Sequence, residues 1–459
     1  MVSLKKLPLS DSLAPQLKSF LIDVFAQKKL TNPKLAIAFS GGLDSCVLLH
    51  LLLECQKTLP FQLHARHVHH GLSLNAGAWA DFCVETCKKL RIPLTISQVK
   101  INKNSGLGIE ATAREARYQV LLEADADFIC LAHHQDDQAE TLLLQLARGA
   151  GVKGLAGMGA VNEKLLRPLL DAPRSRLEAY AKHHKLVWIE DESNLDTNLD
   201  RNFMRHEVLP TLAQAYPAIR QTISRAAQHM AEADILLDEL AAQDVKNCQQ
   251  NQVHSQQLPL VPLVLLSKAR VKNALRGWLL QNNCEVPSAA QLQQIVQQLL
   301  HASADASINI KLSASHILRR FQGSAYLLKN VQVDADLCQR SAFSLPWQGE
   351  KIIILPDQSR LFFSEKVGVG IAMQHVKKSQ LVIRYRQGGE TLKPDEKRPS
   401  RSLKSLFQSS NIPPWQRERL PLLFIHTTLA ILPNLAVDVR FKAAPDALGL
   451  AVNWQDNGD

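Results

Sequence analysis

Apolar residues follow two different rhythms along this chain, and the change falls near the middle. In the first half, short apolar runs at Leu35–Phe39, Leu63–Val68, Leu94–Val99 and Phe128–Ala132 have the length of buried strands. Between them, Ser45–Cys55, Ala76–Leu90 and Gly108–Ala124 read as helices. Strands alternating with helices predict an α/β domain: a doubly wound, mostly parallel sheet covered on both faces. Ligands of such sheets gather beyond the C-terminal strand ends. Three of these ends run straight into polar segments, Ser40–Ser45, His67–Gly71 and His133–Gln138, so the pattern predicts one shared crevice.

Beyond Tyr216-Pro217 the alternation stops. Ala218–Val245 reads as one long helix, followed by a Gln/Asn-rich stretch at 247–257, a helix at Ser288–Leu300 and strands at Ile308–Leu312 and Ala325–Leu328. Ser344–Pro356 reads as a connector, and the last hundred or so residues as short strands and tight turns. The expectation is three domains: residues 1–217, a helical middle domain at 218–345, and a small α+β domain at 346–459.

Composition narrows the class. At 459 residues and 46% hydrophobic content the chain can fill several cores. Its longest apolar run, Leu258–Leu266, holds two prolines and is too short to span a membrane. Charges interrupt every apolar run near the N-terminus, so a cytoplasmic protein without a membrane partner is expected. The eight cysteines are scattered and no Cys-x-x-Cys occurs, which leaves zinc ribbons, iron–sulfur clusters and dithiol chemistry without support. Of the net charge of +10, residues 1–217 carry +2 and residues 218–459 carry +8. Such a basic second half suits a polyanion partner, although a solvated basic face accounts for the charge equally well.

The segment with the most chemical content is Ser40-Gly41-Gly42-Leu43-Asp44-Ser45, set between a strand and a helix. Two residues without side chains let backbone N–H groups at a helix N-terminus approach phosphate oxygens. Ser40 and Ser45 add hydroxyl donors, and Asp44 offers a carboxylate for Mg2+. It is not a Walker-A motif, which requires Gly-x-x-x-x-Gly-Lys-Ser/Thr.

After the fourth strand comes His133-His134-Gln135-Asp136-Asp137-Gln138-Ala139-Glu140-Thr141. Ala139, Leu142, Leu143 and Leu146 form a stripe expected to face the sheet. His133, Asp137 and Glu140 share another face, suited to a metal or a cationic substrate; a di-metal phosphoesterase would use similar letters. Arg114 and Arg117 stand one helical turn apart, able to clamp a phosphate or to pair with Glu110 or Glu115. Five glycines between Gly149 and Gly159 suit either a mobile cover over a nucleotide, with Lys153 near its phosphates, or a plain loop. The turn-rich segment Trp188–Arg205 lacks the glycine and the terminal glutamate of a calcium loop and reads instead as a substrate loop, with Arg201 and Arg205 available for anions. In the basic tail, Arg398, Arg401 and Lys404 suit backbone contacts to folded RNA. Trp415 suits either base stacking or a core.

With these residues together, the chain resembles the PP-loop ATP pyrophosphatases and, among them, the tRNA(Ile)-lysidine synthetases. The specific matches are Ser40–Ser45, His67–Gly71, Gly108–Tyr118, His133–Thr141, Ile189–Arg205 and Arg398–Leu420, and they extend over nearly the whole chain. The resemblance implies a first domain like the adenine nucleotide alpha hydrolases, with ATP as substrate and Mg2+ as cofactor. It implies free L-lysine and a CAU-anticodon tRNA(Ile) as partners, and a homodimer is among the expected assemblies.

The implied reaction converts the wobble cytidine to lysidine with release of AMP and pyrophosphate, switching codon reading from AUG to AUA and identity from Met to Ile. The implied roles are ATP binding for Ser40, Gly41, Gly42, Leu43, Asp44 and Ser45, with Asp44 also on Mg2+. Asp44, Arg114, Arg117, His133 and Asp136 would act at the reaction centre. Asp137 and Glu140 would hold lysine's ammonium groups, and Arg201, Arg205, Arg398, Arg401 and Lys404 would hold tRNA. Two other classes stay open: a PP-loop enzyme that moves sulfur onto tRNA, against which the missing paired cysteines argue, and a tRNA-binding protein without catalysis.

Overall fold

A computed structural model describes residues 13–69, 71, 75–99, 109–250, 255–303, 308–329, 343–397 and 399–456. The chain divides into two units, Met1–Leu237 and Asp238–Asp459.

The first unit is the expected α/β domain. Its elements are α1 (Leu13–Lys28), β1 (Lys34–Ala38), α2 (Leu43–Gln56), β2 (Gln62–His69), α3 (Ala76–Leu90), β3 (Leu94–Gln98), α4 (Ile109–Leu122), β4 (Phe128–Cys130) and α5 (Gln135–Ala147). Next come a one-turn α6 (Val152–Leu155), a short hairpin of β5 (Val161–Asn162) and β6 (Leu165–Leu166), and α7 (Arg174–His183). The unit continues through α8 (Asp200–Phe203), a π-helical turn at Met204–Val208 and α9 (Leu209–Ala215) into α10 (Ile219–Cys248), a long helix that contains the division between the units.

The sheet order is β3-β2-β1-β4-β6-β5, parallel except for β5. From β1 the chain proceeds outward on one side to β2 and β3, then returns to place β4 on the other side. The crevice at a sheet's switch point therefore opens between the C-terminal ends of β1 and β4.

Helix α2 is mostly apolar, with Val47, Leu48, Leu49, Leu51 and Leu52 fully buried. It packs against α1 and α7, and its C-terminal end, at Glu54 and Gln56, reaches solvent. Each such leucine contributes about 1.5–3 kcal/mol by leaving water, and the sum holds the start of α2 rigidly behind the turn. Helix α1, which the sequence reading did not anticipate, buries Leu13, Leu17, Leu21, Val24 and Phe25 at helical spacing.

The second unit begins with β7 (Gln257–Pro259), α11 (Leu260–Val264), α12 (Lys268–Gln281), α13 (Ala289–His301), β8 (Asn309–Lys311), β9 (His316–Phe321) and β10 (Ser324–Lys329). These strands form an antiparallel sheet ordered β7-β10-β9-β8, whose Leu318, Ala325 and Leu327 share a core with Trp278 and Leu279 of α12. The middle region is thus mixed rather than simply helical.

The rest is β11 (Ser344–Pro346), β12 (Ile352–Ile354), β13 (Arg360–Val367), β14 (Ile371–Ala372), α14 (Met373–Lys378), β15 (Leu381–Arg384), β16 (Thr391–Leu392), β17 (Arg401–Ser402), α15 (Leu403–Ser409), α16 (Pro414–Arg417), β18 (Leu422–Ile425), β19 (Thr428–Leu432), β20 (Ala436–Val437) and β21 (Leu448–Gln455). Two small sheets, β11-β15-β18-β19-β20 and β12-β13-β21-β14, enclose one apolar core with Phe407 of α15, as expected of a small α+β body. No helix among the described residues is long and apolar enough to cross a membrane.

Candidate active site at the switch point of the sheet

The turn after β1 is made of backbone. Gly41 sits at φ +84°, and a Cβ there would lie 2.8 Å from Ile189 Cδ1 and 3.2 Å from Cys83 Sγ. Its carbonyl accepts the Ile189 N–H at 2.9 Å, which stitches the turn to the Trp188–Arg205 segment. Gly42 is the N-cap of α2 without a side-chain cap, so the first N–H groups of the helix keep no side-chain partner there. Ser45 Oγ donates to the Gly42 carbonyl at 2.9 Å and lies 3.1 Å from Ser40 Oγ. Leu43, at the first helical position, is buried and anchors the turn to the core. Beneath the turn, the buried His67 ring contacts the Phe39 carbonyl at 3.0 Å and Cys83 Sγ at 3.4 Å. This is the geometry expected of a phosphate cradle.

Across the switch point, α5 starts at Gln135, with His134 as its N-cap. His134, only 1% exposed, lies among three carboxylates: Nε2 is 3.5 Å from Asp44 Oδ2 and 3.5 Å from Asp137 Oδ2, and Nδ1 is 4.0 Å from Asp136 Oδ1. Burial lowers its pKa, but Asp137, Asp44 and Asp136 outweigh burial and the net shift is upward. This histidine joins the turn to α5, and the sequence reading passed over it in favour of His133. The other Asp44 oxygen, Oδ1, is buried without a protein partner.

Deeper on α5, four charges interlock. Glu140 has a side-chain exposure of 0%; its Oε1 accepts from Arg205 Nε at 2.6 Å and its Oε2 from Arg201 Nε at 2.7 Å and Arg205 Nη2 at 3.0 Å. Asp137 Oδ1 accepts from Arg201 Nη2 at 3.1 Å and Arg205 Nη2 at 3.3 Å, while its Oδ2 accepts the His134 backbone N–H at 2.9 Å. Burial would push the Asp137 carboxyl up, but the charges of His134 and Arg201 hold it at about 2. The two arginines come from α8 and from the π-helical turn, a rare form frequent at functional sites.

The geometry gives several of the expected residues partners that the sequence alone does not show. Arg201 and Arg205, expected to face tRNA, turn inward because two carboxylates on α5 would otherwise be buried without counter-charge. For the same reason Glu140, expected to hold lysine's ammonium, has both oxygens occupied by guanidinium groups. Asp136, expected at the reaction centre, is engaged by Arg220 Nε at 2.8 Å and the Arg174 backbone N–H at 3.1 Å. His133 precedes the helix instead of sharing its face, and its Nδ1 accepts from Arg167 Nε at 3.2 Å.

The stripe of Ala139 and Leu142 packs on Leu209, Ile223 and Ala227 of α9 and α10 rather than on the sheet, and Leu146 is 57% exposed. The sequence could not show this, because the partner helices lie some seventy residues downstream. The glycine-rich segment is gripped: Gln138 bonds both the N–H and the carbonyl of Met158, at 2.8 and 2.9 Å, and Gly157 at φ +64° leaves room only for that amide.

Other expected residues are placed as follows. Arg114 lies over the Tyr118 ring at 5.3 Å, close enough for its charge to act on His133, whereas Arg117 is exposed on the same helix. In the second unit Lys404 is exposed and Arg401 donates to Ser405 Oγ at 3.0 Å; Arg398 lies outside the described residues. Trp415 packs edge-on against Tyr326 and Phe321, with Arg319 over its ring at 5.5 Å.

Three family models match: a PP-loop domain over residues 11–212, a TilS substrate binding domain over 258–326, and a TilS substrate C-terminal domain over 381–454. The tRNA(Ile)-lysidine synthase of Nitrosomonas europaea is 41% identical over 429 residues, 92% of each chain. That of Coxiella burnetii is 37% identical over 432 residues, 93% of this chain and 94% of the relative. That of Legionella pneumophila strain Lens is 39% identical over 421 residues, 90% and 94% respectively. With such identity along almost the full length of each relative, the chain belongs to the tRNA(Ile)-lysidine synthase family.

Proposed function

We propose that this chain ligates free lysine to C2 of the wobble cytidine in a CAU-anticodon tRNA(Ile), using ATP and giving lysidine, AMP and pyrophosphate. The cytosine C2 oxygen is a poor leaving group. When it attacks the α-phosphorus of ATP, pyrophosphate departs and the oxygen becomes part of an adenylate. The lysine ε-amine then attacks C2, and AMP departs with that oxygen. At its ordinary pKa of about 10.4 the amine arrives protonated and must first lose a proton.

Ser40–Ser45 would cradle the phosphates with backbone N–H groups and hydroxyls. Asp44, whose Oδ1 lacks a protein partner, fits a hard cation that takes one or two carboxylates alongside phosphate oxygens; Mg2+ there would neutralise the phosphate charge. Arg114 and Arg117 would stabilise the adenylate. A charge group of both signs beside the turn suits a zwitterionic amino acid: Asp137, held ionised, would attract an ammonium, and Arg201 or Arg205, each about one-fifth exposed and braced by Glu140, would attract a carboxylate. Residues 1–217 would carry catalysis, and 218–345 and 346–459 would hold tRNA, with Arg401 and Lys404 on its backbone.

The observation that carries the reading is the bridge of His134 between Asp44 and Asp137, which sets the nucleotide turn and the charge group side by side. Steady-state pyrophosphate release with a tRNA(Ile) transcript tests it. Release should depend on lysine, and Asp137→Ala should raise the apparent KM for lysine at least about tenfold while that for ATP changes less than about twofold, since an ion-paired hydrogen bond contributes about 1.5–3 kcal/mol. An unchanged lysine dependence would remove Asp137 from that role.

A further inference from the structure

Arg167 follows β6 and is only 6% exposed. Its Nη1 donates to the Gly159 carbonyl at 2.8 Å, and its Nε donates to His133 Nδ1 at 3.2 Å. A guanidinium stays protonated and has no lone pair to offer, so the direction of the second bond is fixed: Nδ1 accepts. A neutral imidazole carries one proton, which must then reside on Nε2.

We propose that Arg167 is a positioning residue that locks His133 as an Nε2–H donor, available to an oxygen acceptor of the bound pyrimidine or phosphate, and so excludes His133 as the base for lysine. A second proton could enter only at Nδ1, where the Arg167 N–H already points. The surroundings agree: burial lowers the His133 pKa, Asp137 raises it, Arg201, Arg167 and Arg114 lower it, and the balance is about 3. A fixed, uncharged donor can stabilise charge developing on an oxygen without reorganising. The same guanidinium holds Gly159, so the end of the glycine-rich segment and the histidine tautomer are set together. The identity of the acceptor rests on the lysine-ligation reading; the tautomer does not.

The test is two-bond 1H–15N correlation NMR of the full chain labelled at its 16 histidines, with His133→Gln identifying the His133 signals. His133 should show the Nε2–H tautomer and no titration between about pH 5 and 8. An Nδ1–H tautomer or an imidazolium at neutral pH would overturn the proposal. In Arg167→Lys or Arg167→Met the signals should move to a tautomer mixture or titrate near the ordinary value; unchanged signals in a folded variant would remove Arg167 from the role.

Kinetically, Arg167→Lys should lower kcat about 10–100-fold with the KM for ATP little changed, the usual size of a lost orienting partner. His133→Gln, which keeps an N–H near the ε position, should retain more activity than His133→Ala; equal losses would overturn the donor role. If the tautomer stands and no lysidine forms, the reading of the reaction fails while the proposal survives.

Discussion

The turn at Ser40–Ser45 and the charge group on α5 flank the same switch point, at the ends of paired strands β1 and β4, yet they are built from opposite materials. The turn is local and made of backbone: six consecutive residues, a left-handed glycine and a helix N-terminus. The charge group is non-local and made of side chains, with carboxylates on α5 meeting guanidiniums more than sixty residues away. A local backbone device tolerates change at many side chains but almost none at its glycine. A buried ionic device depends on every partner, because removing one leaves another charged and dry.

The contrast can be broken first at Glu140. Glu140→Gln should destabilise the first unit by about 3–5 kcal/mol, because Arg201 and Arg205 lose one of the two carboxylates they share, leaving only Asp137 against two guanidiniums. Urea unfolding measures this, and Glu140→Gln combined with Arg205→Met should cost less than the sum of the two changes; strict additivity would mean that the group is not one device. Next in size is Gly41→Ala, expected to cost about 1–3 kcal/mol through a strained positive φ and to raise the KM for ATP more than that for lysine. A loss confined to stability, with the KM for ATP intact, would detach the turn from nucleotide binding.

The pH dependence comes third. His133 is depressed to about 3, and His50, His64 and His67 are lowered mainly by burial. Below about pH 6.5 the unfolded chain binds protons these rings refuse, so stability should fall as pH drops from 6.5, by about 1.4 kcal/mol per pH unit per proton. His134, whose pKa is raised, adds stability that is complete below about 6.5 and lost as pH rises through its elevated value, so it does not offset the acid loss. His133→Gln should flatten the acid slope by about one proton; an unchanged slope would mean that His133 titrates normally.

The smallest effect is at Arg401 and Lys404. Changing either to Ala should weaken tRNA binding modestly and reduce the salt slope by about one per phosphate contact, without altering the KM for lysine. Filter binding across salt concentrations reads both.

What could be read in advance follows the same division. The sheet, the turn and the helix after β4 were legible because each rests on the spacing of neighbouring residues. Strands β1 to β3 fall within one residue of the expected runs at each end, and β4 starts at the expected Phe128 and ends two residues sooner, at Cys130. Arg201 and Arg205 stand out in the sequence as cations for an anion, but nothing in a sequence shows which distant acid a guanidinium will meet. His133 and His134 are neighbours in the sequence, and nothing in that order shows which ring turns toward Asp44. Arg167 and α1 gave little signal, one being a lone arginine in a loop and the other a helix whose apolar spacing became meaningful only against α2. Trp415 had two readings open; it is packed with Tyr326 and Phe321, aromatic residues from β9 and β10.

The central claim is that the crevice between β1 and β4 activates a cytidine with ATP and gives it to lysine. Mass spectrometry of nucleosides digested from a CAU-anticodon tRNA(Ile) transcript, after incubation with ATP and isotopically labelled lysine, tests it most directly. The account predicts one labelled lysidine at the wobble position, with AMP and pyrophosphate in equal amount. Unmodified cytidine, or turnover to ADP and orthophosphate, would contradict it.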